Sequence, residues 1–429
     1  MVNKKIHRHI IFEIVFFLYL LTSVLEKLSY NIAGWGCNIY TMATPIVFVF
    51  LVISYCMQGK KILINQYTKM FFGYYVIYIL YVLFQFVIID ADAATRTQCL
   101  KGLIELLVNF CAFINVVMFL GIYEDGLNFN QVAETFLYIT FLNEVYCLVQ
   151  YIIPDIDAII IDFLNSEAKR YGMDAYGSVH RTTGFFIESN FNGAFLVMGF
   201  INALYLIGVY NRNSIRSKKI FASVVGILAL VFCFMTLSLT SYIGLAAFAF
   251  YKLCKSRWKY KKRILGGLFV LVVTIILVYL FNDTVRTVVN VKLSIFSSFE
   301  KLQNSSHFRI AIEAIEIYAM SFRNIIFGTG LNCLNVQFQK VFGYSMMKAH
   351  SYYLQNLCEL GIIGVGIVVY YIKLLLKKNV NKMDESSLQE VMIFTMLMMN
   401  FTYDSFFRPF NIIFIIYALL INKNRKYVK

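Results

Sequence analysis

Long apolar runs, each close to the length that crosses a bilayer, recur along the chain between short polar segments. They predict helices at approximately 10–28, 39–57, 70–89, 103–121, 132–153, 184–210, 219–237, 240–254, 264–281, 350–372, 388–404 and 409–422. The tightest connection is Ser238-Leu239-Thr240-Ser241. Barrel strands would alternate in polarity over about ten residues, and no such alternation occurs, so strands are not expected. The predicted fold class is all-α: a polytopic integral membrane protein of about twelve transmembrane helices. Two polar stretches are long, 154–183 and 282–349. The chain therefore reads as a single transmembrane domain over residues 1–429 with two long outer loops. The second loop contains an amphipathic pattern from Ser305 to Ser321. Arg309, Glu313 and Glu316 share one face and Ile312, Ile315 and Ala319 another, which suits a helix lying at the membrane surface. No internal repeat and no large central loop divides the chain into transporter halves.

Composition agrees with that pattern. The 429 residues are 59% hydrophobic and 15% charged, where soluble domains carry about 25% charged residues. Met1–His9 is basic, and the run behind it holds Glu13 and lacks a small-residue cleavage site, so a retained first helix is expected. The net charge of +15 would suit nucleic acid only in a soluble module, and none is predicted. With the N-terminus inside, the densest basic cluster, Lys252 to Arg263, also falls inside, as do the C-terminal lysines. These charges set topology and meet membrane lipids. The 9 cysteines fall mostly inside apolar runs, without CxxC or zinc spacing. Cys37, Cys99 and Cys333 are predicted to face outward, and a disulfide among them is left open. No metal-ligand spacing or cofactor motif is found. Gly328-Thr329-Gly330 lacks the GxxxxGK[ST] spacing of a phosphate loop and reads as a tight turn.

The candidate chemistry gathers at two helix mouths. Ala349–Gly361 puts His350 at the mouth of one helix and Glu359 about 13 Å further along its axis. Ionisable groups at such depth are costly and mark functional sites. Arg181 ends the first long loop, and Glu188, Ser189, Asn190 and Asn192 open the next helix, where polar groups need partners or a watery cavity. Each has a plainer reading. Arg181 can snorkel to headgroups. Arg309 can pair with Glu313 at i,i+4 for a few tenths of a kcal/mol. His350 can be an ordinary interfacial residue, and Glu144 and Glu359 can be hydrogen-bond partners inside the bundle.

Three segments together resemble the bacterial O-antigen polymerase and ligase family. Arg181-Thr-Thr-Gly-Phe-Phe-Ile-Glu-Ser-Asn190 is similar to its R-x-x-G-x-F-x-x-P-N segment, with Ser189 for proline. Ser305-Ser-His-Phe-Arg309 followed by Asn324-Ile-Ile-Phe-Gly-Thr-Gly330 resembles its arginine helix and P-x-x-G-x-G turn, with Asn324 for proline. His350-Ser-Tyr-Tyr-Leu-Gln-Asn-Leu-Cys-Glu-Leu-Gly-Ile-Ile-Gly364 resembles H-N-x-Y-L-x-x-x-x-E-x-G-x-x-G, with Ser351 for asparagine. Tyr242 stands where the family has arginine after serine. The resemblance implies a GT-C-like, metal-independent glycosyltransferase without a cofactor. It would act on undecaprenyl diphosphate-linked oligosaccharides at the outer face of a bacterial plasma (inner) membrane, with both termini cytoplasmic. A chain-length regulator protein is an expected partner by resemblance alone. His350 is the expected base or acceptor-orienting group, Arg181 and Arg309 the expected diphosphate ligands, and Glu188, Asn190 and Glu359 further candidate contacts. The sparse arginines and Tyr242 favour a polymerase of O-antigen or capsular repeat units. An O-antigen ligase acting on lipid A-core is the alternative within the family, and a lipid-linked oligosaccharide flippase the alternative outside it.

Overall fold

A computed structural model describes residues 2–32, 35–58, 64–89, 92–122, 127–164, 166, 181–255, 306–344, 349–403 and 408–423, with scattered positions between 262 and 294. Helix α1 (Val2–Thr22) leads to a small antiparallel hairpin, β1 (Ser29–Ile32) and β2 (Trp35–Asn38), which pairs Ser29 with Asn38. This hairpin corrects the expectation of no strands; at four residues per strand it is too short to register as polarity alternation. Then come α2 (Ile39–Gln58), α3 (Gln66–Ile88), α4 (Ala93–Ile122), α5 (Phe129–Ile152), the short α6 (Ile156–Phe163), α7 (Ser189–Arg212), α8 (Arg216–Met235) and α9 (Leu239–Lys255). The second long polar stretch holds α10 (Ser306–Ala319), α11 (Phe322–Phe327) and α12 (Leu334–Phe342). The chain ends in α13 (Tyr352–Leu375), α14 (Met383–Met399) and α15 (Ile412–Ile421). Each predicted apolar helix except 264–281, which lies largely outside the described residues, has its counterpart. Among the described residues, seven helices are long and apolar enough to cross a membrane by length and composition. The protein is thus an all-α polytopic membrane protein, and the amphipathic helix of 305–321 is α10.

Helix ends meet in two groups. At one end the Lys27 amide donates to Phe185 O (3.2 Å), the Thr182 amide to Met235 O (3.3 Å) and the Tyr352 amide to Asn400 O (3.0 Å). At the other, Asn65 Nδ2 donates to Asn422 O (3.4 Å) and Asn379 Nδ2 to Ile421 O (2.7 Å), and Lys218 pairs with Glu134 (2.9 Å). Helices α7 and α15 form the middle of the bundle; every residue of α15 is buried. Helix α7 admits Asn202, which donates to Ala133 O (2.8 Å) and accepts from Tyr417 (2.9 Å), so its buried amide is satisfied.

Helix α13 kinks at Gly361, which adopts φ +62°. A kink frees carbonyls that hydrocarbon cannot solvate, and here protein donors take them. The Thr329 amide donates to Cys358 O (2.8 Å), the Gly330 amide to Glu359 O (3.0 Å), Gln85 Nε2 also to Glu359 O (2.9 Å), and the Tyr81 hydroxyl to Leu360 O. The turn after α11 lies so close that a Cβ at Gly361 would sit 2.4 Å from Ile326 O, and one at Gly328 (φ +76°) 2.2 Å from Glu359 O. Gly328-Thr329-Gly330 is therefore a tight turn that docks on the kink. A second apolar cluster, including Ile310, Ala314, Phe338, Ala349 and Cys358, fastens α10 and α12 to the first half of α13.

Candidate active site

The segment before α7 is held by buried side chains that leave its backbone little freedom. Gln150 Oε1 accepts from the Gly184 amide (2.8 Å), and Asn143 Oδ1 from the Phe185 amide (2.9 Å). Asn143 Nδ2 donates to Asn192 Oδ1 (2.8 Å), and Asn192 Nδ2 to Thr182 O (3.2 Å). Lys27 Nζ reaches across to Thr183 Oγ1 (2.8 Å) and to Asp157 (2.7 Å) of α6. Burial pushes the Lys27 ammonium down to about 8, with Asp157 pulling the other way. Asn192 thus serves the local fold. Asn190 accepts from Ser238 Oγ (2.6 Å), which ties α7 to the turn between α8 and α9.

That turn also fixes Arg181. Its Nε donates to Thr236 O (2.7 Å) and its Nη2 to Leu237 O (3.5 Å). These carbonyls end α8, where the helix dipole favours a cation. Leu237 holds φ +47°, a conformation a bulky residue rarely adopts. Arg181 is therefore anchored in place rather than snorkelling.

His350 also has positive φ (+52°), immediately before the Ser351 cap of α13. Such strain, about 1–3 kcal/mol, persists where the surroundings over-determine a residue and clusters at active sites. The His350 ring lies against Tyr403, with centroids 6.2 Å apart. The Tyr403 hydroxyl donates to the Glu188 carboxylate, and its ring meets Phe191 edge-on at 4.6 Å. The Phe191 ring also carries the Arg408 guanidinium, 3.5 Å from its centroid. Arg408 also pairs with Glu26, which is 3% exposed, at 3.5 Å. The structure thus brings His350 and Glu188 together through Tyr403, and joins Asn190 and Arg181 through the Thr236–Ser238 turn.

Arg309 and Glu359 sit elsewhere. Arg309 Nε lies 3.7 Å from Glu313, and its guanidinium covers the Tyr344 ring at 5.4 Å. Tyr344 in turn donates to Glu313, and that carboxylate raises the Tyr344 hydroxyl's pKa beyond what desolvation does. Glu359 accepts from Gln355 Nε2 (2.6 Å) and from the Leu334 amide (3.3 Å), which fastens α12 to α13. Glu144 is buried within α5, and neither of its carboxylate oxygens has a hydrogen-bond partner among the described residues. The three outward cysteines are free thiols, with Cys99 and Cys333 buried.

Sequence reasoning missed Tyr403, Arg408 and the Glu26-Lys27 pair. Arg408-Pro409 stands directly before the last apolar run, a signal overlooked because one loop arginine resembles any other topogenic charge. His180 and Ser305 lie outside the described residues.

The bundle thus gathers histidine, tyrosine, carboxylate and two anchored arginines at one end. Residues 224–369 match the family model of O-antigen ligase. This stretch, about a third of the chain, is similar to O-antigen ligases. The match includes His350, Arg309, Glu359 and the turn that anchors Arg181, and it does not separate ligase from polymerase. No curated protein matches the chain.

Proposed function

We propose that the protein polymerises undecaprenyl diphosphate-linked oligosaccharide repeat units, for O-antigen or capsule, at the outer face of the plasma membrane. The observation that carries this reading is the His350–Tyr403–Glu188 cluster with Arg408 stacked beside it. An acceptor hydroxyl oxygen attacks the anomeric carbon of the donor. The bond from that carbon to the diphosphate oxygen breaks, and the hydroxyl proton passes to His350. Negative charge grows on the departing diphosphate, and preorganised arginines suit it. Arg181 and Arg408 are held by protein contacts before any substrate arrives. Arg309, more than half exposed, is the further candidate cation, and it would first leave Glu313. Glu188 and Asn190 position Tyr403 and the Thr236–Ser238 turn, and Glu359 supports α13. The reaction needs no metal or nucleotide, because the donor arrives activated.

The description of the matching family favours a second reading, ligation of finished polysaccharide to lipid A-core. Purified protein given one lipid-linked repeat unit separates the two. A ladder of lengthening lipid-linked glycan supports polymerisation. Transfer to lipid A-core without a ladder supports ligation. In either case His350→Ala should abolish transfer, and retained transfer would remove His350 from the chemistry. Both termini in the cytoplasm and an associated chain-length regulator complete the proposal.

A further inference from the structure

A cavity of about 420 Å³ lies between the hairpin 29–38, α3, α4, α13 and the start of α15. That size falls within the range of about 300–1,000 Å³ of small-molecule sites. Arg408 lines it while also stacking on Phe191, so the cavity and the histidine cluster share that side chain. Tyr352, two residues after His350, lines it as well. Its depth follows from α3: Tyr74 lies about 20 Å along the helix from its end at Ile88.

The lining has two characters. Asn109, Gln355 and Asn356 offer amides, and Tyr74, Tyr75 and Tyr78 offer rings and hydroxyls. Tyr74 is 1% exposed, and its hydroxyl has no hydrogen-bond partner among the described residues. A buried polar atom left so is costly, and a ligand hydroxyl would relieve it. A polyprenyl chain would desolvate these amides without replacing their hydrogen bonds. A diphosphate would face the Glu105 and Glu359 carboxylates that also line the wall. The chemistry that matches is polyhydroxylated with apolar ring faces: C–H faces for the tyrosines, hydroxyls for the amides.

We infer that this cavity is a saccharide subsite that holds sugar rings next to the ring that reacts at His350. The inference rests on the glycosyl-transfer reading for the identity of the sugar, but its test does not need turnover. Cys37 lines the cavity and is half-buried, whereas Cys56 is exposed on α2 and does not line it. Full-length protein in lipid nanodiscs is alkylated with N-ethylmaleimide, and both cysteines are followed by peptide mass spectrometry. The probe is the free oligosaccharide released by mild acid from the host's own lipid-linked repeat unit. It should slow Cys37 labelling several-fold and leave Cys56 unchanged. Tyr74→Phe and Asn109→Leu should each weaken that protection, with the Cys56 rate reporting that the fold is intact. Unprotected Cys37 in protein that still turns over the lipid-linked unit overturns the inference. So does equal protection by undecaprenyl phosphate bearing no sugar, which would make the cavity a lipid groove. Protection of Cys37 in protein that transfers no sugar upholds the subsite and defeats the proposed reaction instead.

Discussion

Removing the Arg408 side chain tests how stability and chemistry share one residue. Arg408→Gln deprives Glu26, 3% exposed, of the guanidinium 3.5 Å away. Breaking a buried ion pair from one side costs about 3–5 kcal/mol. The separation here exceeds the roughly 2.7–2.9 Å of a tight charge-assisted bond, and Arg408 is partly exposed, so the lower end, about 3 kcal/mol, applies. Loss of the stacking on Phe191 adds about 0.5–2 kcal/mol. Glu26→Gln removes the buried charge itself, so the double variant Glu26→Gln/Arg408→Gln should regain about 2–3 kcal/mol relative to Arg408→Gln. Unfolding in detergent or lipid, read by intrinsic fluorescence, gives the four corners of the cycle. Transfer activity is read on the same samples. The double variant should be folded and still impaired, because the cation beside the histidine cluster is missing. Strict additivity in the cycle would show that the pair contributes no coupling. Full activity in the double variant would show that Arg408 acts only as a strut.

The other expectations concern the scaffold. Gly361→Ala would bring a Cβ to 2.4 Å from Ile326 O at φ +62°, ψ −173°; that backbone region is essentially confined to glycine and costs another residue about 1–3 kcal/mol, so thermal melts should drop sharply, and a wild-type melt would discredit the docked turn. Lys27 holds its proton less tightly in the folded chain, at about 8, than an ordinary lysine at 10.5. Between those values the unfolded chain binds more protons, so stability from this group is lowest below pH 8 and rises towards 10.5. Melts of the wild type should therefore gain on Lys27→Met as pH climbs from neutral, and a narrowing gap would contradict the burial. Glu144→Gln keeps the shape of a buried carboxyl that lacks hydrogen-bond partners among the described residues and removes the ionisable group. It should leave the melting temperature unchanged or higher, and a large loss would reveal a role for that carboxyl.

Much of the bundle is written in its apolar runs, because hydrocarbon demands helices of a given length. The boundaries moved where side chains took over. The first helix stops at Thr22 rather than near Leu28, because Glu26 and Lys27 turn away to Arg408 and Asp157. Helix α7 starts at Ser189 rather than Gly184, because Gln150 and Asn143 hold the Gly184 and Phe185 amides. His350, Arg181 and Glu188 could be singled out since polar residues at helix mouths are rare. Tyr403 could not, since the chain has 30 tyrosines and nothing marks one of them. The partners of Arg309 were legible at i,i+4 spacing; those of Arg181 were not, because backbone carbonyls leave no trace in side-chain identity.

The ion pair between Glu26 and Arg408 joins the first polar turn of the chain to the last. At about 5–20 residues per second, a ribosome would take roughly 20–80 s between making one and the other. The Glu26 carboxylate must wait that long at the membrane surface, hydrated or otherwise occupied, while the intervening helices insert. Tyr403 and Arg408 arrive together at the end of that interval. A chain cut before Tyr403 would therefore carry His350 without the ring it lies against and Glu188 without its hydroxyl partner, and this cluster would assemble only once residues 403–408 are in place.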